Sequence, residues 1–176
     1  MKAMDYWMEP ITKVANAYQL DPYLVAAVVW CESRGRADAF RHEPRFWLRY
    51  MANHPKYRGK GLNPHRVSSS YGLMQIMWVV AEELGFKGEP EELFVPRTNL
   101  HFGCQKLVEL RGWVEKFQDL PPARRQLAML AAYNGGTGGN DPREPLRPVN
   151  EQYAERVLAS YRELNPHYTE PSSLEA

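Results

Sequence analysis

Glu32 is the residue whose surroundings in the sequence point most directly to chemistry. It stands near the end of an apolar stretch, residues 23–31, and is followed by Ser33, Arg34 and Gly35. Burial disfavours the charged form of a carboxylate, so an acid in such a place is costly unless it has a function. With a raised pKa it could donate a proton to the leaving oxygen of a glycosidic bond. The alternative is an exposed glutamate that caps its own helix.

The flanking residues delimit the helix that would carry this acid. Asp21 and Pro22 are typical of an N-cap and a first helical position, and Gly35 can close the helix after Arg34. Apolar residues go nearly all round this segment, which predicts a buried central helix. The negative end of the helix dipole then opposes the carboxylate charge of Glu32 and favours its protonated form.

Two further segments combine glycine with polar side chains. In residues 72–75 (Gly-Leu-Met-Gln), Gly72 allows the backbone to approach a sugar closely, and Gln75 offers both a donor and an acceptor. In residues 131–136 (Ala-Ala-Tyr-Asn-Gly-Gly), a helix ends in ordinary C-cap residues. No Gly-Lys-Ser/Thr follows, so the second segment is not a phosphate-binding loop. Each segment alone is compatible with a purely structural role.

The Glu32-Ser33 pair and these two segments, in this order, resemble the signature of soluble lytic transglycosylases. Those enzymes share a lysozyme-like fold with goose-type lysozymes, and the resemblance covers about residues 20–160. It implies an enzyme that cuts peptidoglycan glycan strands, with Glu32 as the catalytic acid and then base. It also implies that the serine beside the acid, the motif residues and a tyrosine of the last helix bind substrate. These are Ser33, Gly72, Leu73, Met74, Gln75, Tyr133, Asn134 and Tyr153, the last with core packing as an equal alternative.

The segment between the acid and the first glycine motif departs from the commoner pattern of that family. It is longer than in most members, and residues 40–44 (Phe-Arg-His-Glu-Pro) resemble an Arg-x-Glu-Pro segment of phage-type members. We expect residues 46–67 to form an insertion that flanks the cleft. Glu43 could reach the cleft, but a salt bridge with a nearby arginine is the role we expect for it. Nothing in the sequence places Glu43 or Asp38 across the cleft from Glu32 at the spacing that a water-activating partner needs.

The rest of the sequence predicts a single, mainly α domain. No convincing alternating strand is visible, and residues 53–70 are typical of a loop. We expect one lysozyme-like domain over residues 1–164, with the catalytic glutamate at the end of a buried helix, and a flexible tail over residues 165–176. Besides the helix that carries Glu32, helical spacing or capping residues predict helices over residues 6–18, 45–51, 72–84, 97–117, 121–133 and 151–164.

Composition and charge narrow the range of partners. The chain has 176 residues, enough for one domain, and its net charge of +1 gives no basic field for nucleic acid. No stretch approaches the ~20 apolar residues of a membrane span. The two cysteines and five histidines match no metal motif, so we expect neither a metal nor another cofactor. The expected partner is the glycan strand of peptidoglycan, and the expected state is a monomer.

The N-terminal sequence bears on where the protein is made. It has one early lysine, early acids and no apolar run, and so lacks the pattern of a signal peptide. We therefore expect a protein made in the cytoplasm that acts on the cell wall, in the periplasm. To reach it, the protein would need holin-type release, as phage endolysins do, or delivery on a virion.

The reaction implied by the resemblance is non-hydrolytic cleavage of the β-1,4 bond between N-acetylmuramic acid and N-acetylglucosamine, with a 1,6-anhydro-N-acetylmuramic acid product. It needs a single carboxyl group, and only Glu32 combines a desolvating environment with a motif match. A hydrolytic muramidase of the same fold, in which a second carboxylate activates water, is the nearest alternative. A non-catalytic wall-binding or assembly component is the alternative from another class.

Overall fold

Helices make up most of the protein in the computed structural model, which describes residues 2–169. A π-helical turn (Trp47–Met51) and a 3-10 turn (Pro90–Phe94) accompany them. Within the described residues, no helix combines the length and apolar character needed to cross a membrane. The prediction of a mainly α fold is confirmed. The α-helices are α1 (Lys2–Ala17), α2 (Pro22–Ser33), α3 (Pro44–Phe46), α4 (Pro64–Val67), α5 (Trp78–Glu83), α6 (Pro96–Val114), α7 (Pro122–Gly135) and α8 (Pro148–Leu164).

Helix α2 lies at the centre of the core, as its apolar sequence predicts. Its residues 24–29 are all buried, because α1 and α8 pack against it. The Asp21 side chain caps its start by accepting a hydrogen bond from the Tyr23 amide at 2.8 Å. Its end is set by Arg34, which adopts the left-handed conformation (φ 57°), and the chain then turns away at Gly35. Glu32 is therefore held in the last turn of a rigid helix.

The other long helices complete this core. Helix α7 packs on both α6 and α8, and α1 also packs on α6. The buried side of α6 follows helical spacing, with residues three or four apart facing inward. The buried apolar residues of this helix are Leu100, Phe102, Cys104, Leu107, Leu110 and Val114.

A small antiparallel sheet stands beside the helices, in the order β1 (Phe40–His42), β2 (Ser69–Tyr71) and β3 (Ile76–Met77). The sequence prediction of a helix over residues 72–84 and of no strands is wrong here. Strands of two or three residues are too short to show alternation, and both sides of β2 are buried. The α-helix in this region begins only at Trp78.

Residues 72–75 form the turn between β2 and β3, and backbone geometry explains why they are not helical. Gly72 and Gln75 both have positive φ angles, 69° and 48°. A Cβ on Gly72 would also come within 2.6 Å of Asn99 Nδ2 and 2.8 Å of the Leu93 carbonyl oxygen, so only glycine fits. The turn is therefore a strained, specific structure and not the start of a helix.

Asn99, a fully buried residue of α6, holds this turn in place. Its Oδ1 accepts a hydrogen bond from the Met74 amide at 2.7 Å, and its Nδ2 donates to the carbonyl oxygens of Tyr71 (2.7 Å) and Leu93 (2.8 Å). One side chain thus bonds to three buried backbone groups, one N–H and two carbonyl oxygens, from three separate parts of the chain.

The segment between β1 and β2 has a small core of its own. Met51, Tyr57 and Val67 are buried there together with Val79 of α5. The Tyr57 hydroxyl donates to Glu82 Oε2 at 3.0 Å, which ties the segment to α5. Of the tail predicted over residues 165–176, residues 170–176 lie outside the described residues.

Replacing Asn99 with alanine should lower the free energy of unfolding by about 3 kcal/mol, because the three backbone groups would lose their partners inside the protein. Urea denaturation measures this. The matched control is Asn16→Ala at an exposed position of α1, which should change stability by less than about 0.5 kcal/mol. Equal effects of the two substitutions would contradict the role given to Asn99.

Candidate active site

A cleft of about 620 Å³ opens beside the end of α2. It brings together four of the residues that the sequence analysis singled out, namely Glu32, Gln75, Tyr133 and Asn134. The end of α7 and the glycine-rich loop after it form one wall, and β1 with the following helical turn forms the other. The residues that line it are Glu32, Arg41, Glu43, Phe46, Tyr50, Ser70, Gln75, Ile76, Met77, Val80, Lys106, Ala132, Tyr133, Asn134, Gly135, Gly136, Thr137 and Gly138.

The Glu32 carboxyl has a pKa raised above its ordinary value, chiefly because burial disfavours its charge. Three groups oppose this effect without cancelling it. The Tyr153 hydroxyl donates a hydrogen bond to Glu32 Oε1 at 2.6 Å, and the positive charges of Arg41 and Arg156 act from further away. Burial thus makes the protonated form easier to populate than in an exposed glutamate, while a hydrogen-bond donor and two cations stabilise the anion. This is the arrangement that an acid needs if it must later act as a base.

Tyr153 is almost fully buried on α8, and its pKa is raised well above the ordinary value by burial and by the Glu32 charge. Its hydroxyl therefore remains a proton-bearing donor to the carboxylate at neutral pH. Its ring packs in the core and its hydroxyl reaches the acid, but Tyr153 is not among the residues that line the cleft, and its contact with substrate stays a prediction. The Asp21 carboxylate accepts a hydrogen bond from Tyr161 at 2.7 Å, so α2 and α8 are joined near both ends of α2.

Tyr133 lines the cleft from α7, but its hydroxyl is turned toward the protein. It donates to the Met74 carbonyl oxygen at 2.9 Å and so links α7 to the turn at residues 72–75. Gln75 in that turn donates from Nε2 to the carbonyl oxygens of Ala39 and Gly72, each at 3.0 Å. Its amide nitrogen is therefore engaged, and its amide oxygen is the atom left to accept a hydrogen bond from a ligand.

Asn134 begins a chain of side-chain amides behind the glycine-rich wall. Its Nδ2 donates to Asn150 Oδ1 at 2.8 Å, Asn150 Nδ2 donates to Asn140 Oδ1 at 3.1 Å, and Asn140 Nδ2 donates to the Gly136 carbonyl oxygen at 2.6 Å. A Cβ on Gly135 would come within 2.1 Å of Asn150 Nδ2, so the glycine makes room for this chain. The amides hold the loop against the start of α8. The sequence analysis missed Asn140 and Asn150, because nothing in their sequence neighbourhood reveals these contacts.

Five of the predicted substrate-binding residues do not line the cleft, namely Tyr153 and four that lie in the turn or at the end of α2. Gly72, Leu73 and Met74 are buried in the turn. The Ser33 hydroxyl is buried too, 2.8 Å from the Leu73 carbonyl oxygen and 3.1 Å from that of Val29. Their place in the structure is that of supports, which fix the turn against the end of α2.

The wall formed by β1 contributes residues that the sequence analysis did not place in the cleft. Arg41 and Glu43 both line it, and the Arg41 Nε–H donates to Glu43 Oε1. The salt bridge expected for Glu43 is present, and its carboxylate also reaches the cleft, which the sequence had left open. Phe46 and Tyr50 line the same wall. No local signal in the sequence reveals this pair, because β1 is too short to show alternation and its position depends on its pairing with β2.

Within residues 2–169, no three or more His, Cys, Asp or Glu side chains are grouped so that they could hold a metal ion. Both cysteines are free thiols. The side chains that line the cleft offer two carboxyl groups for proton transfer, Glu32 and Glu43, and hydrogen-bonding groups around them.

Comparison with known proteins agrees with this arrangement. Residues 9–144 match the family described as Transglycosylase SLT domain, whereas no curated protein matches the chain. In structure, the chain is similar to an inactive Glu-to-Gln mutant of the lytic transglycosylase Slt from Pseudomonas aeruginosa, with a TM-score of 0.58 and 18% sequence identity. The match covers 88% of this chain but 24% of the Slt chain, so this chain spans about a quarter of that protein. The chain has the lysozyme-like fold and belongs to the transglycosylase SLT domain family.

Proposed function

We propose that this protein is a peptidoglycan lytic transglycosylase. It cleaves the β-1,4 bond between N-acetylmuramic acid and N-acetylglucosamine and leaves a 1,6-anhydro-N-acetylmuramic acid end. The observation that carries the proposal is the Glu32 carboxyl, which has a raised pKa, accepts a hydrogen bond from Tyr153 and lines a cleft. The similar structure from Pseudomonas aeruginosa is a lytic transglycosylase whose Glu-to-Gln mutant is inactive, which agrees with a glutamate-dependent reaction.

The reaction uses the Glu32 carboxyl twice. In the first step the protonated carboxyl gives its proton to the glycosidic oxygen, the bond from that oxygen to the muramyl C1 breaks, and N-acetylglucosamine leaves as an alcohol. Positive charge then develops at C1, and the Glu32 carboxylate beside it stabilises that charge. In the second step the carboxylate takes the proton of the muramyl C6 hydroxyl, and the C6 oxygen bonds to C1. The acid is thereby restored and no water is consumed.

The neighbouring residues divide into those that meet the glycan and those that fix the cleft. Gln75, Tyr133 and Asn134 line the cleft and are the residues proposed to contact sugar. The Gln75 amide oxygen suits an N-acetyl or hydroxyl donor. The buried Ser33 and the turn residues Gly72, Leu73 and Met74 act by holding Gln75 and Glu32 in fixed relative positions.

The C6 hydroxyl is favoured over water because it is already tethered to the reacting sugar, which gives it a far higher effective concentration than an external nucleophile has. A hydrolytic muramidase remains the second candidate, and one observation favours it. Glu43 lines the same cleft as Glu32 and could activate water as a second carboxylate. We prefer the anhydro product because the C6 hydroxyl is tethered to the reacting sugar and water is not.

The biological setting that we propose is a phage-type lysin, either an endolysin that reaches the wall through holin-type release or an enzyme carried on a virion, acting as a monomer. Its support is the resemblance of residues 40–44 to a segment of phage-type members. A non-catalytic wall-binding component is disfavoured, because a partly buried acid with a raised pKa in a cleft has no use in such a protein.

Replacing Glu32 with glutamine should lower the rate of peptidoglycan cleavage by a factor of about 100 or more, since it removes the proton donor and keeps the shape. Turbidity loss of purified sacculi measures the rate, and circular dichroism checks that the variant is folded. Glu163→Gln, at an exposed position of α8, is the matched control and should keep full activity. Substantial activity in the Glu32 variant would rule out the proposed mechanism.

The products should lack one water relative to hydrolysis products and should resist reduction by borohydride, because the anhydro ring leaves no reducing end. Mass spectrometry of the released muropeptides, with and without borohydride, tests this. Reducible ends in stoichiometric yield would identify a muramidase. In that case Glu43→Gln should abolish activity.

Replacing Tyr153 with phenylalanine should shift the alkaline limb of the pH profile of kcat/KM to higher pH. The hydroxyl stabilises the Glu32 carboxylate, so its loss raises the pKa of Glu32 further, and the essential proton is then retained up to a higher pH. The rate at the optimum should also fall about tenfold, since the second step needs the carboxylate. Tyr161→Phe, which breaks the bond to Asp21, is the control and should leave the limb in place. A limb that stays or moves to lower pH would contradict this role for Tyr153.

A further inference from the structure

Strand β1 brings into the cleft a cation, Arg41, whose hydrogen-bond donors the proposed reaction does not use. Arg41 on the strand and Glu43 just after it both line the cleft beside Glu32. His42, between them, points to the other side, with its Nδ1 3.2 Å from Ser69 Oγ. The alternation of the strand therefore presents the arginine and the glutamate, and not the histidine, to whatever occupies the cleft.

The Arg41–Glu43 pair is open to solvent and to exchange of partners. The arginine side chain is 63% exposed and the glutamate side chain 33%. An ion pair at this exposure contributes little to stability, so it costs little to replace. Arg41 donates to Glu43 through its Nε–H. Within residues 2–169 the N–H groups of its two terminal nitrogens make no hydrogen bond, so they can donate to another acceptor.

Arg41 also lies close enough to the reacting centre to sense it. Its positive charge is one of those that hold down the pKa of Glu32 against the effect of burial. A ligand group that reaches Arg41 is therefore near the sugar whose bond Glu32 cleaves. Phe46 and Tyr50 line the same cleft as Arg41, and their ring centroids are 4.9 Å apart.

We propose that Arg41 binds a carboxylate carried by the substituent of the muramyl residue, and that Glu43 competes with this carboxylate and orients the arginine. The proposal rests on the proposed function. The sugar rings of the glycan are neutral, whereas the muramyl residue carries either a stem peptide with free carboxylates or, without the peptide, a bare lactyl carboxylate. A guanidinium matches a carboxylate with paired hydrogen bonds, which a hydroxyl or an N-acetyl group cannot accept in the same way.

The test compares chemically matched substrates. Purified glycan strands with stem peptides are prepared with free carboxylates or with those carboxylates converted to amides, and kcat/KM is measured on both. Arg41→Gln should lower the ratio of the free-acid value to the amide value about threefold to tenfold, and Glu43→Gln should raise it about twofold. Arg45→Gln, at an exposed position outside the cleft lining, is the matched control and should leave the ratio unchanged. For the unaltered protein, added salt should reduce the ratio.

Opposite changes of the ratio in the two variants are the result that supports the proposal. An equal loss on both substrates would overturn it, because Arg41 would then act on Glu32 or on folding alone. An unchanged ratio in both variants would overturn it as well. If Arg41→Gln does not fold, Glu43→Gln and Arg41→Lys, which keeps the charge but loses the planar fork, decide the question by the same ratio.

Two further measurements distinguish a failure of the proposed anion site from a failure of the proposed function. Strands stripped of stem peptides, again with free or amidated carboxylates, show whether the bound group is the stem carboxylate or the lactyl carboxylate. Failure of the unaltered protein to cleave any of these substrates would refute the proposed function itself. Cleavage of all of them with no dependence on Arg41 would refute only the anion site.

Discussion

The structure depends on keeping one carboxyl group partly buried at the end of a buried helix. Under the proposed function Glu32 must deliver a proton, which a surface glutamate, ionised at neutral pH, does poorly; burial opposes its charge and raises its pKa. That requires a helix apolar on nearly every side, and α2 is covered by α1 and α8. The same packing brings Tyr153 of α8 to the carboxyl, so the element that buries the acid also supplies the donor that stabilises its anion.

The second requirement is a turn that stays in place although its backbone is strained. Residues 72–75 carry two positive φ angles, and three helices hold them. Asn99 of α6 satisfies the turn's backbone, Ser33 of α2 lies within hydrogen-bond distance of the Leu73 carbonyl oxygen, and Tyr133 of α7 donates to the Met74 carbonyl oxygen. The polar residues of the family motifs thus act largely on one another. Motif residues that do not touch a ligand can still be essential, since they fix those that do.

The sequence was sufficient for the parts of the fold and the site that local rules govern. The cap at Asp21, the buried character of α2 and the position of Glu32 in its last turn follow from spacing and residue type. The small sheet could not be predicted from the sequence, because its strands are too short to give a periodic signal. Asn99 and Asn150 did not follow either, because an asparagine gives no local sign of which distant backbone or amide it will meet. The placement of Glu43 in the cleft depends on how β1 pairs with β2, which is a tertiary property.

The segment between β1 and β2 encloses its own small apolar cluster and leans on α5, apart from the packing that surrounds α2. It nevertheless supplies Phe46 and Tyr50 to one wall of the cleft. Length and composition can therefore vary in this segment without disturbing the burial of the acid. Under the proposed function, this segment is an exchangeable module: replacing it would change which wall polymer the cleft accepts and leave the proton transfer by Glu32 as it is.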